Sequence, residues 1–197
     1  MLAVATGAER MTQAMRSLEA VFLIGVEDVT EIWLVRHGDC YEGMADGPDP
    51  PLSPLGRQQT ARLADRVRPM KPAAVYSSPY RRAQETARAI TDDVHVDPRL
   101  VEMALELSDG GMLDFKESPA DVIARMRGAI DDFAQKYSGQ RVIVVGHGAA
   151  IVTYITDVLR LEPGQLRLLP YYTSVSIVRA LGDRRVVGGF GDVAHLE

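Results

Sequence analysis

Short apolar runs recur along the chain at the lengths expected of buried strands. Three runs rich in β-branched residues and bounded by turn residues lie at 31–35 (EIWLV), 73–77 (AAVYS) and 141–146 (RVIVVG). Two further runs, 174–180 (SVSIVRA) and 184–190 (RRVVGGF), lie near the end of the chain. Runs of this kind predict strands that are covered by other elements on both faces.

Helical patterns fill the segments between these runs. Ser53 and Pro54 predict the start of a helix that continues to about Val67. Pro79 predicts the start of a second helix, which continues to about Ile90. Proline is favoured in the first turn of a helix because its missing N–H group would have no partner there.

Two more helical segments are predicted at 119–137 and 149–159. Strands that alternate with helices predict an α/β fold, a three-layer sandwich with a mostly parallel central sheet and helices on both faces. The functional crevice of such a sheet lies outside the carboxyl ends of its strands. We expect the least regular segment, at about 97–118, to pass over those strand ends.

Helical spacing is also present in the first 25 residues. Apolar side chains recur there at Met11, Ala14, Met15, Leu18 and Phe22. We therefore expect an amphipathic helical extension over residues 1–28, which packs on the body of the protein or on a partner subunit. A single domain is expected over residues 29–197, and a homodimer is one assembly that the apolar stripe allows.

Composition and charge exclude several classes of protein. The chain of 197 residues has 22 basic and 27 acidic side chains, a net charge of −5, which argues against nucleic-acid and membrane partners. Its one cysteine, Cys40, excludes an internal disulfide framework and a thiolate metal cluster. The apolar segment 20–26 is shorter than the about 20 residues needed to span a bilayer. We expect a cytoplasmic protein.

Three predicted strand-to-helix junctions carry unusual chemistry. Arg36 and His37 follow the first strand, Arg82 follows the second, and His147 follows the third. In a parallel sheet these side chains would meet in one crevice, together with the N–H groups of the helix after His147. Arginine guanidiniums match phosphate oxygens in geometry and charge, so a phosphate group is the expected ligand.

An imidazole next to an arginine-bound phosphate suggests a specific reaction. The ring nitrogen can attack phosphorus and form a phosphohistidine intermediate. Positioning and charge neutralisation would drive this reaction without a metal ion or an organic cofactor.

Four motifs in this order resemble the histidine phosphatase superfamily, also called the phosphoglycerate mutase-like family. They are RHG at 36–38, DPPLSPLGRQQTARLADRV at 49–67, SSPYRRAQETA at 77–87 and GHG at 146–148. The resemblance covers roughly residues 31 to 180 and implies the phosphoglycerate mutase-like fold.

The resemblance implies a role for each residue at the junctions. His37 corresponds to the nucleophile, and Arg36 and Arg82 correspond to the arginines that bind the phosphate. His147 corresponds to the second histidine, which hydrogen-bonds the transferring phosphoryl group. The acid that protonates the leaving oxygen falls on Glu102.

The sequence departs from the family pattern after RHG, after the acid, and at Glu85, where glutamine is frequent and the change is expected to be minor. Asp39 and Cys40 stand where glutamate or glutamine, and then threonine or serine, are common, which leaves substrate preference open. The G-x-W-E-G motif after the acid is absent, so Glu106 and Asp109 are alternative proton donors. We expect Cys40 to line the substrate pocket.

Other residues are given roles from their local context. Gly148 is expected to bind substrate beside His147. Arg81 is expected on the surface, His95 in a structural strand, and His195 in an exposed or disordered tail.

The resulting prediction is a metal-independent phosphatase that acts on a small phosphorylated metabolite. A phosphoglycerate mutase is the alternative within the same chemistry, although the chain is short at 97–118, where mutases tend to carry extra loops. A non-catalytic phospho-ligand binding module and a protein-phosphohistidine phosphatase are the remaining alternatives.

Overall fold

The computed structural model describes residues 7–40, 49–107 and 113–197. The α-helices in these ranges are α1 Gly7–Val21, α2 Pro54–Val67, α3 Arg81–Ile90, α4 Pro119–Lys136 and α5 Gly148–Val158. The strands are β1 Thr30–Arg36, β2 Ala74–Ser77, β3 Val94–Val96, β4 Leu105–Leu107, β5 Leu113–Phe115, β6 Arg141–Gly146, β7 Val175–Leu181 and β8 Arg184–Asp192. One-turn 3-10 helices lie at Arg68–Met70, Pro98–Leu100 and Ala194–Leu196.

Six strands form the central sheet, in the order β3-β2-β6-β1-β7-β8. The strands β3, β2, β6 and β1 are parallel, whereas β7 pairs antiparallel with β1 and with β8. The carboxyl ends of β1, β2 and β6 therefore lie at the same edge of the sheet. The predicted α/β fold with a mostly parallel sheet is confirmed.

Alternate residues of the central strands pack into two separate cores. Ile32 and Leu34 of β1 pack in the core that includes α4 and α5, while Trp33 and Val35 pack in the core that includes α2 and α3. The side chains of β6 alternate in the same way. This period of two produces three layers, because successive side chains of a strand point to opposite faces.

The helix starts follow the predicted chemistry with one exception. Ser53 caps α2 by accepting a hydrogen bond from the Gly56 N–H group, with Pro54 at the first position. The prediction that Pro79 starts α3 is wrong, because α3 begins at Arg81. Pro79 lies instead in a turn that the Ser78 hydroxyl closes by accepting the Tyr80 N–H group.

The segment 97–118 contains a small antiparallel hairpin of β4 and β5 after a 3-10 turn. Arg125 of α4 anchors this segment. Its guanidinium donates to the carbonyls of Arg99 and Val101 at 2.7 and 2.8 Å and pairs with the Glu117 carboxylate at 2.6 Å. The hairpin is thereby fixed to α4, next to the carboxyl ends of the strands.

The N-terminal helix forms as predicted, but its apolar stripe does not pack on the domain. Met11, Met15, Leu18 and Phe22 are 49–66% exposed. Packing on a partner subunit stays a prediction. No helix among the described residues is long and apolar enough to cross a membrane.

Candidate active site

The strand β1 ends at a tightly packed turn that positions His37. The His37 N–H group donates to the Gly146 carbonyl at 3.0 Å, and the Gly38 N–H group donates to the Thr86 hydroxyl at 3.0 Å. A Cβ atom at Gly38 would lie 2.7 Å from the Thr60 hydroxyl oxygen. Glycine is therefore required after His37 for the turn to pack against α2.

His37 is held as a neutral imidazole with a defined tautomer. Its Nδ1 atom lies 2.7 Å from the Gly38 carbonyl oxygen, which can only accept, so Nδ1 carries the proton. The Nε2 atom therefore keeps its lone pair and accepts a hydrogen bond from Arg82 Nε at 3.3 Å. Burial, together with the charges of Arg82 and Arg36, lowers the pKa of His37 from 6.5 to about 3.

Arg82, in the first turn of α3, connects the two predicted catalytic histidines. Its Nη2 atom lies 3.4 Å from His147 Nδ1, and its Nη1 atom lies 3.3 Å from an Asp49 carboxylate oxygen. The rings of His37 and His147 are 5.1 Å apart between centroids. One guanidinium thus contacts both imidazoles at the carboxyl edge of the sheet.

His147 is fully buried at the end of β6. Because Arg82 can only donate, His147 Nδ1 is an acceptor, and Nε2–H donates to the Ser78 hydroxyl at 2.8 Å. Burial and the neighbouring His37 and Arg82 hold the pKa of His147 well below its usual value. Ser78 belongs to the second junction, directly after β2, and its contact with His147 could not be predicted from the sequence.

The guanidinium of Arg36 has a buried nitrogen without a hydrogen-bond partner among the described residues. Nη1 donates to the Pro170 carbonyl at 2.8 Å, and the guanidinium carbon lies 3.9 Å from the centroid of the Tyr172 ring. The buried Nε has no hydrogen-bond partner within the described part of the chain. It faces Gly148, because a Cβ atom at that glycine would lie 3.3 Å from it. Sequence reasoning missed Pro170 and Tyr172, which follow Arg36 by more than 130 positions.

The Glu102 carboxylate lies at the N-terminus of α5. It accepts hydrogen bonds from the N–H groups of Ala150 and Ala149 at 2.9 and 3.3 Å, and from the Met103 N–H group at 2.8 Å. The expectation that the first N–H groups of this helix face a phosphate is therefore wrong for Ala149 and Ala150. In the described structure the Gly148 N–H group has no acceptor.

The alternative acids and the neighbouring arginine lie elsewhere. Glu106 is exposed on β4, where its carboxylate lies 3.3 Å from the Lys116 ammonium. Asp109 lies outside the described residues. Arg81 is exposed as predicted and donates to the Glu85 carboxylate at 2.8 Å. Of the three acids considered, Glu102 is the one that the described structure places beside His147.

Asp39 and Cys40 have different environments. The Asp39 carboxylate accepts a hydrogen bond from the Ser53 hydroxyl at 2.6 Å, and its carbonyl accepts the Ser53 N–H group at 2.8 Å. Asp39 therefore holds the start of α2. Cys40 is buried, and burial raises the pKa of its thiol while the charges of Arg82 and Arg36 act to lower it.

The two remaining histidines lie outside the crevice. His95 is on the edge strand β3, as predicted. The expectation that His195 is exposed or disordered is wrong, because its Nε2 atom lies 3.0 Å from the Thr173 hydroxyl. The Thr173 N–H group in turn donates to the Arg36 carbonyl at 2.9 Å. The C-terminal turn thus packs behind the end of β1.

Comparison with known families identifies this arrangement. The model of the histidine phosphatase superfamily (branch 1) matches residues 32–114 and 109–193. The chain belongs to this superfamily. Among the described residues no group of three or more histidine, cysteine, aspartate or glutamate side chains could hold a metal ion.

Individual relatives carry two kinds of names. A Yersinia enterocolitica protein named "Probable phosphoglycerate mutase GpmB" is 28% identical, over 85% of this chain and 95% of its own. The metal-independent phosphoserine phosphatase of Arabidopsis thaliana is 27% identical, over 86% and 84% of the two chains. A crystal structure of a mutant phosphoserine phosphatase from Entamoeba histolytica, in complex with phosphoserine, matches with a TM-score of 0.72. It shares 23% identity, over 85% of this chain and 100% of its own, and this likeness concerns the fold.

Proposed function

We propose that this protein is a phosphatase that hydrolyses a phosphomonoester through a phosphohistidine intermediate on His37. The observation that carries the proposal is the pair of contacts that the two ring nitrogens of His37 make. Its Nδ1–H group is bound to the Gly38 carbonyl, so the lone pair of Nε2 faces Arg82 at neutral pH. An unprotonated ring nitrogen next to a guanidinium is the arrangement that attack on a bound phosphate requires.

The phosphate would bind between the guanidiniums of Arg36 and Arg82. Arg36 contributes its unpaired Nε, and Arg82 exchanges its long contacts with the two histidines for phosphate oxygens. The Gly148 N–H group supplies a further donor, and Cys40 lines the pocket. In a buried crevice such donors stabilise the charge that develops on the equatorial oxygens.

In the first step, His37 Nε2 forms a bond to phosphorus as the bond to the ester oxygen breaks. Glu102 in its protonated form gives its proton to the leaving alcohol. His147 donates to a phosphoryl oxygen from the ring nitrogen that faces Arg82, after the bound phosphate has favoured its protonation. The products of this step are the alcohol and phosphohistidine.

In the second step, a water molecule attacks the phosphohistidine. Glu102, now a carboxylate, takes a proton from this water. The phosphorus–nitrogen bond breaks, and its electron pair returns to His37 Nε2. Phosphate leaves, and both His37 and Glu102 regain their starting states.

The names of the relatives support a small phosphomonoester as the substrate. They also support the phosphoglycerate mutase alternative, because one relative is named a probable phosphoglycerate mutase. A mutase returns the phosphoryl group to its substrate, whereas a phosphatase transfers it to water. Release of phosphate therefore separates the two activities.

The proposal is tested by hydrolysis of p-nitrophenyl phosphate in the presence of a chelator. We expect turnover by the wild type and a loss of at least about 10³-fold in kcat for His37→Ala, since the nucleophile is removed. His95→Ala, on the edge strand, is the matched control and should retain wild-type turnover. A requirement for added metal, or equal activity of His37→Ala, would overturn the mechanism. Absence of turnover in the wild type would favour the non-catalytic binding module.

A further inference from the structure

An apolar groove of about 610 Å³ lies along the outer face of α5. Its floor is formed by Val152 and Thr156 of α5 and by Ile123 of α4. Its walls are formed by Phe115 of β5 and by Leu161 and Leu168 from the segment after α5. None of these residues belongs to the motifs of the crevice.

The walls of the groove expose an unusual amount of apolar surface. Phe115, Leu168 and Leu169 are 58%, 53% and 66% exposed, and Leu161 is 38% exposed. A contiguous apolar patch on a protein surface marks a binding site, whereas single exposed leucines need no explanation. The groove therefore has the character of a ligand site.

The groove provides no free charge to a ligand. Among the described residues that line the groove, Asp157 is the one charged residue. Its carboxylate is bound to the Arg127 guanidinium at 2.6 Å. A charged ligand group placed here would lose its water without gaining a partner, which is costly. The chemistry of the lining thus selects an uncharged apolar group.

One end of the groove reaches the phosphate crevice. Met103 and Ala149 line the groove, and their N–H groups donate to the carboxylate of Glu102. A Cβ atom at Gly148 would lie 3.0 Å from Leu169 Cδ1 and 3.3 Å from Arg36 Nε. The apolar wall and the phosphate-facing arginine thus approach the same point at the start of α5.

We propose that this groove binds the alcohol portion of the substrate, and that the substrate is a phosphomonoester of an uncharged, apolar alcohol of several carbons. This inference rests on the proposed function, because it needs the phosphate beside His37. With the phosphate there, the ester oxygen lies near Glu102 and the carbon chain continues past Met103 and Ala149 into the groove. Phosphoserine and phosphoglycerate, which carry charged groups close to the ester, fit this lining poorly.

The test uses a series of n-alkyl phosphates from ethyl to octyl, each kept below its micelle concentration, with phosphate release as the readout. Burial of each methylene is worth roughly a two- to fourfold gain in kcat/KM. We expect kcat/KM to rise by at least about 50-fold from ethyl to octyl phosphate in the wild type. Phosphoserine should be hydrolysed less efficiently than octyl phosphate.

Leu168→Asp places a charge on the groove wall at a half-exposed position, where folding should tolerate it. We expect the octyl-to-ethyl ratio of kcat/KM to fall at least about tenfold, because a carboxylate opposes apolar burial. Leu55→Asp, at an exposed leucine on α2, is the matched control and should keep the wild-type ratio. The thermal midpoint of both variants checks that they are folded.

Each outcome decides between the two proposals. A flat chain-length profile with measurable turnover of ethyl phosphate would overturn the groove assignment and leave the phosphatase proposal intact. A steep profile that Leu168→Asp leaves unchanged would also overturn it. A flat profile combined with loss of a dimer in Leu168→Asp would assign the groove to a second copy of the chain. No turnover of any ester, p-nitrophenyl phosphate included, would overturn the proposed function and this inference with it.

Discussion

The crevice at the strand ends and the groove along α5 are built in opposite ways. In the crevice, polar side chains are buried and nearly every ring or guanidinium nitrogen contacts a named partner. In the groove, apolar side chains are exposed and contact water. The crevice is thus prepared for a charged group and the groove for an uncharged one.

The crevice and the groove also differ in how the sequence encodes them. His37 and His147 each follow a strand directly, and Arg82 lies in the first turn of the helix that follows β2, so the parallel sheet brings these side chains to one edge. The groove combines residues from β5, α4, α5 and the segment after α5. Reaction chemistry can therefore be local in sequence, while the surface that selects a substrate is assembled only by the fold.

Both regions carry an energetic cost that a ligand would relieve. The guanidiniums of Arg36 and Arg82 place positive charge beside two buried histidines, and this charge helps to lower the pKa of both rings. The groove leaves leucine and phenylalanine side chains in water. A phosphate ester with an apolar chain would offset both costs at once, and the experiments below separate the two contributions.

Among variants that keep both histidines of the crevice, the largest effect is expected from Arg82→Ala. Loss of this guanidinium should reduce kcat for p-nitrophenyl phosphate by about 10²- to 10³-fold, as expected for a donor to the transition state. Steady-state kinetics of Arg81→Ala provide the control, because that neighbouring side chain is 59% exposed and should matter less than about twofold. Similar losses of kcat in the two variants would show that turnover depends on positive charge near α3 and not on contact between Arg82 and phosphate.

A smaller and selective effect is expected from Glu102→Gln. Turnover of alkyl phosphates should fall by about 10²-fold, since alkoxides need a proton to leave, whereas aryl phosphates should lose much less in their first step. Pre-steady-state rates of alcohol and phenol release measure this difference, because the second step, which is common to both ester classes, would limit steady-state turnover of this variant. Glu106→Gln, on the exposed hairpin, should behave as wild type. Equal losses of the first-step rate on both ester classes in Glu102→Gln would remove Glu102 as the proton donor.

The smallest effect is a change in the pH dependence of stability. The folded-state pKa of His37 lies below its usual value of 6.5, at about 3. The unfolded chain therefore binds this proton first as pH falls. The neutral state of buried His37 therefore makes its full contribution to the free energy of unfolding above about pH 6.5. This contribution is lost progressively toward pH 3, by at most about 1.4 kcal/mol per pH unit.

Urea unfolding of the wild type and His37→Gln measures this contribution. Between about pH 7 and 4.5, we expect the variant to lose roughly 2 to 3 kcal/mol less free energy of unfolding than the wild type. An identical loss in both proteins would mean that the crevice does not lower the pKa of His37, which would contradict the effect of burial on this ring.

The sequence was sufficient to predict the elements whose pattern is local. The strands β1, β2 and β6 and the junction residues follow from apolar runs that end in polar residues. The residue types of Gly38 and Ser53 also follow from local structure, because a tight turn requires glycine and a helix cap favours serine.

The contacts that the sequence could not reveal join distant segments. Arg36 binds the Pro170 carbonyl, and His195 contacts Thr173, through packing that depends on β7 and the C-terminal turn. Glu102 accepts the first N–H groups of α5 because the hairpin segment passes over the start of that helix. The start of α3 was also misplaced by the sequence pattern. Proline alone predicts a helix start at Pro79, but the Ser78 hydroxyl closes a turn there.

The central claim is that the phosphoryl group passes to His37, and a quench experiment with Glu102→Gln tests it most directly. In this variant an aryl phosphate can still transfer its phosphoryl group, while the attacking water lacks its base, so the intermediate should accumulate. The reaction is stopped in alkali, which preserves phosphohistidine, and the modified residue is located by mass spectrometry. We predict phosphorylation of His37 and none in the corresponding His37→Ala double variant. Phosphorylation of His147, or turnover with an unmodified His37 throughout, would contradict the account.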